Sequence, residues 1–280
     1  MTPPVAEQMA ATAAAFNSVA ATYDGPQGNN PLIHRMREIV WDRVASLVDG
    51  PSTLLDIGCG TGIDAQHFAQ LGHRVLATDW AEAMVERAAA RDVDGKGCII
   101  ASLVGAHELD QLHHAPGSID LSYSNFGPLN CVPNLGDTAR ALADLTRPGG
   151  LAVFTVIGRY CPWEIAHYAR RRRWSRVRTR FSRAATPVGM NGQTIWTRYF
   201  SPGEFVREWM GNDRDWTVDY YEALSLFVPP PYLETASRDH PRLFRSLVAI
   251  DRRTARWPVL RTMGDHFLVV LRRRGLPTGR

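Results

Sequence analysis

Three features of the sequence predict an α/β fold built on a doubly wound, mostly parallel sheet. The first is the apolar run 53–57, broken by Gly58, Gly60 and Gly62 at alternate positions and followed by a helix-compatible stretch at 63–71. The second is another apolar run, 74–78, which ends on Asp79, seventeen residues past the last of those glycines. The third is that the alternation continues, with strand-like runs at 98–104, 119–124 and 151–157 and helix-period segments at 81–91 and 135–145. Short apolar strands alternating with helices read as βαβ units and a parallel sheet.

The chemistry of the first unit points to a nucleoside. Glycines are needed where a chain turns tightly and where a ligand lies against its backbone. A helix start beyond such a turn offers free N–H groups to an anion. An acid at the tip of the next strand is placed to accept hydrogen bonds from ribose hydroxyls. The dinucleotide fingerprint is G-x-G-x-x-G, whereas here the spacing is G-x-G-x-G, and no G-x-x-x-x-G-K-[ST] occurs. Asp56, Gly58, Gly60 and Gly62 form a D-x-G-x-G-x-G pattern, and 147–150 read Arg-Pro-Gly-Gly ahead of the fifth strand. Phe16, Ala20, Tyr23 and Asp24 form an F-x-x-x-A-x-x-Y-D pattern near the start. With these motifs the chain resembles the class I S-adenosylmethionine (SAM)-dependent methyltransferases, in their small-molecule, UbiE-like bacterial form.

That resemblance implies a Rossmann-like sheet of seven strands in the order 3-2-1-4-5-7-6, mostly parallel with one antiparallel C-terminal strand. It also implies an N-terminal helical lid, an insertion between strands five and six, SAM as cofactor and S-adenosylhomocysteine as product. Asp79 takes the role of the ribose acid, and Tyr23 that of the residue reaching the methionine end. Asp56, Gly58, Cys59, Gly60 and Gly62 form the cofactor loop. Arg35, with Arg37 beside it, lies on the helix at 32–48 near the expected methionine carboxylate. Trp80 is placed to pack on adenine, with Met84 inward behind it. The family's acid after strand three is displaced here, so adenine recognition is expected to fall on the backbone at Ala106 and His107.

Strand four should end against the reacting methyl group, which puts Asn125 on the cofactor side and Phe126 and Asn130 on the acceptor side. The segment 124–127 does not match the [DNS]-P-P-[YFW] of amine methyltransferases of DNA and protein. Trp163 and Tyr232 are further acceptor-side candidates. Candidate general bases are His167, placed first at the start of the insertion, His240 and His266, and then Tyr160 and Tyr232. No metal-ligand cluster is legible, which disfavours a magnesium mechanism. Each candidate base also has an ordinary packing use.

Composition bounds the rest. The chain has 280 residues, 45% of them hydrophobic, enough for one sizeable core. The expected division is one methyltransferase domain over 1–280: a lid at 1–50, a cofactor core at 51–158, an Arg-rich insertion at 159–215 and a C-terminal hairpin with its helix at 216–280. No apolar run approaches the roughly 20 residues that span a bilayer, and the N-terminus lacks a signal-peptide pattern. Four scattered cysteines suit a reducing cytoplasm. Lys96 is the only lysine, so the net charge of +4 rests on arginine and suggests a GC-rich bacterial genome. Residues 165–203 hold nine Arg and no Asp or Glu. Such a run is usually a solvated face, but it also suits phosphate, an acidic headgroup or a polyanionic carrier. A stripe of Trp163, Ile165, Ala166 and Ala169 leaves peripheral membrane contact open. Nucleic acid is disfavoured, for want of an aromatic platform or a separate binding domain. The expected acceptor is therefore a small-molecule or lipid-like metabolite, anionic or not, methylated on O, N or C in a secondary pathway. The alternatives are an RNA methyltransferase using the Arg-rich lid and a SAM-binding regulator without transfer activity.

Overall fold

The structure is a computed structural model that describes residues 2–25, 28–211, 215–230 and 240–275. Two helices, α1 (Val5–Val19) and α2 (Pro31–Ala45), precede the sheet. The βα alternation then gives β1 (Thr53–Ile57), α3 (Ile63–Gln70), β2 (Arg74–Asp79), α4 (Glu82–Ala89), β3 (Cys98–Leu103), β4 (Ile119–Ser124), α5 (Leu135–Leu145) and β5 (Thr146–Ile157). The insertion holds α6 (Pro162–Arg170), α7 (Trp174–Thr179) and a hairpin of β6 (Thr186–Met190) and β7 (Gln193–Thr197). The chain then runs through α8 (Pro202–Met210), β8 (Trp216–Leu224), α9 (Pro241–Thr254) and β9 (His266–Arg273).

The seven-stranded sheet has the order β3-β2-β1-β4-β5-β9-β8, with β9 antiparallel to both its neighbours. Leaving the separate hairpin out of the count, this is the expected 3-2-1-4-5-7-6. The strands β1, β2, β4 and β5 are buried nearly throughout because both faces are covered, while the edge strand β3 is partly exposed. On one face Phe154, Phe205, Trp209 and Phe267 pack together under α5 and α8. On the other, Phe68, Tyr123 and Val270 pack under α2 and α3. Ser201 and Glu204 close a capping box on α8, as S-x-x-E before a helix requires. Among the described residues no helix is long and apolar enough to cross a membrane.

Some boundaries differ from expectation for identifiable reasons. The insertion's hairpin has Gln193–Thr197 as its second arm. Its first arm contains Pro187 and Gly189, which hide it from a strand pattern, and Asn191 and Gly192 turn it at φ 48° and 78°. Strand β5 begins at Thr146, which pairs Ile119 before the 147–150 turn bulges out and pairing resumes at Leu151. Leu243 and Ile250 of α9 are exposed. Its inner side carries Asp251 instead, which accepts the N–H groups of Phe227 and Val228 at 2.8 and 3.1 Å. On α1 the buried positions are Thr12, Ala15 and Val19.

The arginine run also divides. Arg180 is buried, donates to Glu164 and Asp265 at 2.6 Å each and to the carbonyl of Gly158 at 2.8 Å, and so bolts the insertion to the sheet. Arg159 is buried beside it, on Glu204 and the carbonyls of Arg180, Ser182 and Tyr199. Most of the run, from Arg170 to Arg178, is exposed.

Candidate functional site

The glycine bend after β1 is held from beneath. Gly58 and Cys59 donate their N–H groups to the carbonyl of Thr78 at 2.8 and 2.9 Å. Gly60 donates to Oδ2 of Asp79 at 2.9 Å, and Ala81 to Oδ1 at the same distance. The carboxylate at the tip of β2 therefore shapes the loop and keeps its remaining lone pairs toward the crevice. Burial pushes Asp79 above its ordinary value, and the N–H donors of Ala81, Gly60 and Trp80 oppose that rise. The three glycines have φ of 72°, 53° and 80°, a region that L side chains avoid. A Cβ on Gly58 would lie 2.3 Å from that of Pro128, whereas one on Gly60 would meet only the ring of Tyr23 at 3.7 Å. Gly58→Ala is thus expected to cost about 1–3 kcal/mol in a urea titration, the scale of a forced backbone strain, and to weaken homocysteine-product binding as Pro128 shifts.

The crevice above this loop encloses about 770 Å³ and opens to solvent. Tyr23, Gly58, Gly60, Asp79, Trp80 and Met84 line one part of it; Ala106, His107, Asn125 and Phe126 line another. Trp80 and His107 meet edge to face at 5.2 Å. The N-terminal segment closes the roof and is stitched down on both sides. Asn17 accepts the N–H of Ala83 at 2.9 Å, and Thr12 accepts that of Trp196 on β7 at 3.0 Å. Asp24 takes the hydroxyl of Thr61 and the guanidinium of Arg91, which also donates to the carbonyl of Thr61 at 2.7 Å. Ile195 and Thr197, alternate residues of β7, face the crevice beside Ile157.

Strand β4 delivers Asn125 and Phe126 to the floor. The hydroxyl of Thr155 donates to Oδ1 of Asn125 at 2.9 Å and accepts the N–H of Phe126 at 2.7 Å. Phe126 has φ 62° and Gly127 φ 87°, so the strand ends in two left-handed residues. A left-handed Phe is strained, and such strain gathers at functional sites. The guanidinium of Arg37 covers the Phe126 ring at 4.8 Å and is bound to Asp64 at 2.6 Å, both groups buried. Trp41 and Asn125 donate to the same Asp64 carboxylate at 2.6 and 3.3 Å. Asp56 lies buried beneath; burial and then the neighbouring Asp64 push its carboxyl well up, against a hydrogen bond with the Tyr123 phenol.

Several expected site residues sit elsewhere. Arg35 lines a second cleft, facing Asp251 and Asp42 across about 1630 Å³, because α2 turns position 37 rather than 35 toward the loop. His167 is on the last turn of α6 with Nε2 2.8 Å from Arg171, and Tyr160 packs its ring on Phe181 at 5.9 Å; neither lines the crevice. Trp163 donates to the carbonyl of Phe227 at 3.1 Å, a packing bond. Asn130 is buried and spans β5 and the hairpin, donating to the carbonyls of Ile157 and Arg198 at 3.1 and 2.6 Å. Gly62 caps α3 against Ala88, and Cys59 is a buried thiol pushed up by burial and then by Asp56. Tyr232 lies outside the described residues. Sequence reasoning missed Ile157, Ile195, Thr197 and the Asp24–Thr61–Arg91 tie. Only the β7 alternation signalled any of them.

Known proteins are similar to this chain in sequence or in fold. Residues 54–150 match the family model described as a methyltransferase domain. That match runs from β1 into β5 and includes the glycine bend and Asp79. It is similar to a malonyl-[acyl-carrier protein] O-methyltransferase of Yersinia pestis, 30% identical over 159 residues that cover 55% of this chain and 53% of that one. It is similar also to a ubiquinone biosynthesis O-methyltransferase of Shewanella halifaxensis, 27% identical over 148 residues, 52% and 61% of the two chains. The chain thus spans little more than half the length of these curated relatives. Among solved structures, a 1,6-didemethyltoxoflavin-N1-methyltransferase of Burkholderia thailandensis superimposes with a TM-score of 0.57 at 14% identity, over 98% of this chain and 92% of that one. At that identity the likeness is one of fold.

Proposed function

We propose that this methyltransferase domain transfers the methyl group of SAM to a small-molecule or lipid-like acceptor. The observation that carries the reading is that the Asp79-held glycine bend and the strained Phe126 end of β4 open on one roofed crevice. SAM, when bound, supplies a methyl on a cationic sulfur. The residues present suit it: Asp79, at the crevice edge, would accept the ribose hydroxyls. Trp80 and His107 would flank the adenine, with backbone groups at Ala106 and His107 for its edge. Tyr23, β7 and Ile157 would exclude water and wall the acceptor.

The protein's task in such a transfer is alignment, with the nucleophile in line and roughly 3–3.5 Å from carbon. An oxygen acceptor is favoured by the names of the relatives, which are O-methyltransferases. Neither His167 nor Tyr160 is placed to act as base, so we assign them no catalytic role. We read 1–50 and 159–215 as two halves of one lid over the 51–158 core, completed by 216–280, and place the protein in the cytoplasm. An RNA acceptor has only the exposed arginines in its favour.

The test is calorimetric titration with SAM and S-adenosylhomocysteine, followed by transfer of a labelled methyl group to fractionated extract. Micromolar binding of the product and label in a small-molecule or lipid fraction is the expected result. Label confined to RNA would replace this acceptor class, and no label in any fraction would leave a binding protein without transfer.

A further inference from the structure

We propose that α7, α9 and the loop after α9 form a face that docks the protein on an anionic lipid bilayer. Helix α9 carries Arg242, Arg245, Arg252 and Arg253, and its one acid, Asp251, is turned inward onto backbone N–H groups. None of its apolar residues is buried; Leu243 is 58% exposed. Beyond it, Trp257 is 57% and Val259 68% exposed. Val259 sits at φ 68°, a left-handed conformation that β-branched residues resist, at an apolar loop tip. Along the insertion, Arg170 to Arg173, Arg176 and Arg178 are exposed, together with Trp174 and Phe181.

These two segments share a corner of the molecule. Trp163 of α6 donates to the carbonyl of Phe227, whose own N–H reaches Asp251 of α9. Gly264, after the apolar tip, donates to the carbonyl of Tyr160, and the Tyr160 ring packs on Phe181. Of the stripe expected on α6, Trp163, Ile165 and Ala169 are half-buried, so the docking elements are its neighbours.

The occupant follows from the chemistry. A second copy of this chain would set arginine against arginine. A nucleic acid would satisfy the guanidinium groups and gain nothing from Leu243, Ile250 and Val259. A bilayer that is anionic at its surface and apolar just beneath meets both, since basic amphipathic helices lie in that plane and Trp collects at its boundary. This inference stands on surface chemistry and does not depend on the methyl-transfer reading.

The full chain is to be sedimented with vesicles of phosphatidylglycerol and phosphatidylcholine, and with phosphatidylcholine alone, at low and high salt. Binding only to the anionic vesicles, weakening as salt rises, is the expected result. The variant R242Q/R245Q/R252Q/R253Q should bind about a hundredfold more weakly. The variant W257S/V259S should bind at least tenfold more weakly, since apolar burial scales with area. Unchanged circular dichroism and S-adenosylhomocysteine affinity would show that both variants fold. Equal binding to both vesicle types, or none to either, overturns the proposal. So does an apolar-tip variant that binds undiminished, or an RNA oligomer or polyglutamate that binds with full dependence on the arginines but none on the tip.

Discussion

Replacing Asp79 by alanine is expected to reduce S-adenosylhomocysteine affinity by roughly 10²–10⁴-fold. Each hydrogen bond to a carboxylate contributes about 1.5–3 kcal/mol, and a ribose presents two hydroxyls. The same carboxylate holds the N–H groups of Gly60 and Ala81 at 2.9 Å, so alanine also frees the loop that must lie against the ligand. Asp79→Asn keeps the shape and one acceptor oxygen, and should fall between, near tenfold. Gly60→Leu supplies an independent check. Its side chain would enter the space before Tyr23, and it should block binding while the Asp79 ties stay intact. Calorimetry measures each affinity, and circular dichroism shows whether the fold persists. A folded Asp79→Ala variant with wild-type affinity would remove the ribose assignment. The pH dependence has a definite sign. Burial raises Asp79, so the acceptor form is lost, and affinity falls, at a higher pH than for an ordinary carboxylate.

How much of this was legible depends on how local the signal is. The β1 bend, Asp79 and the capping box at Ser201 are each written within a few residues, and the structure has them where the pattern put them. Arg37 was half legible. It stands four residues after Ile33 and three before Val40, on the apolar stripe of α2, but its partner Asp64 lies on another helix. The stripe alone did not say that an arginine could be buried there. Arg180 was not legible, since it looks like its neighbours in the run. Its acids, Glu164 and Asp265, stand 16 and 85 residues away. His167 and Tyr160 failed for a related reason. Being near the insertion in sequence says nothing about which side of it faces the crevice: α6 turns His167 away, and Tyr160, ahead of that helix, packs on Phe181.

Arg180→Ala should cost about 3–5 kcal/mol of stability, the scale for removing one partner of a buried ion pair. The loss would strand the carboxylates of Glu164 and Asp265 in the interior, together with the carbonyl of Gly158. Burial alone would raise Asp265, but Arg180 and then His266 hold it well below the usual carboxylate range. A carboxyl lowered on folding contributes stability that is present above its unfolded value, about 3.9, and is lost as pH falls through the folded value. Wild type should therefore resist acid to a lower pH than the variant, in which Asp265 protonates more readily. Arg180→Lys should rescue little, since one ammonium cannot span two carboxylates and a carbonyl as the planar fork does. Arg178→Ala, on the exposed stretch, should change stability by no more than about 0.5 kcal/mol. Urea titrations at neutral and acid pH measure all three. The carbonyl of Arg180 also receives Arg159 at 3.0 Å, so the variant should loosen the base of the β6–β7 hairpin. The crevice wall at Ile195 and Thr197 would then move while the Asp79 loop stays intact, and acceptor turnover should drop more than S-adenosylhomocysteine affinity. If Arg180→Ala lies within about 1 kcal/mol of wild type, the bolt holds nothing, and the Arg-rich insertion must keep its place over the crevice by Arg159, Asn130 and its apolar contacts.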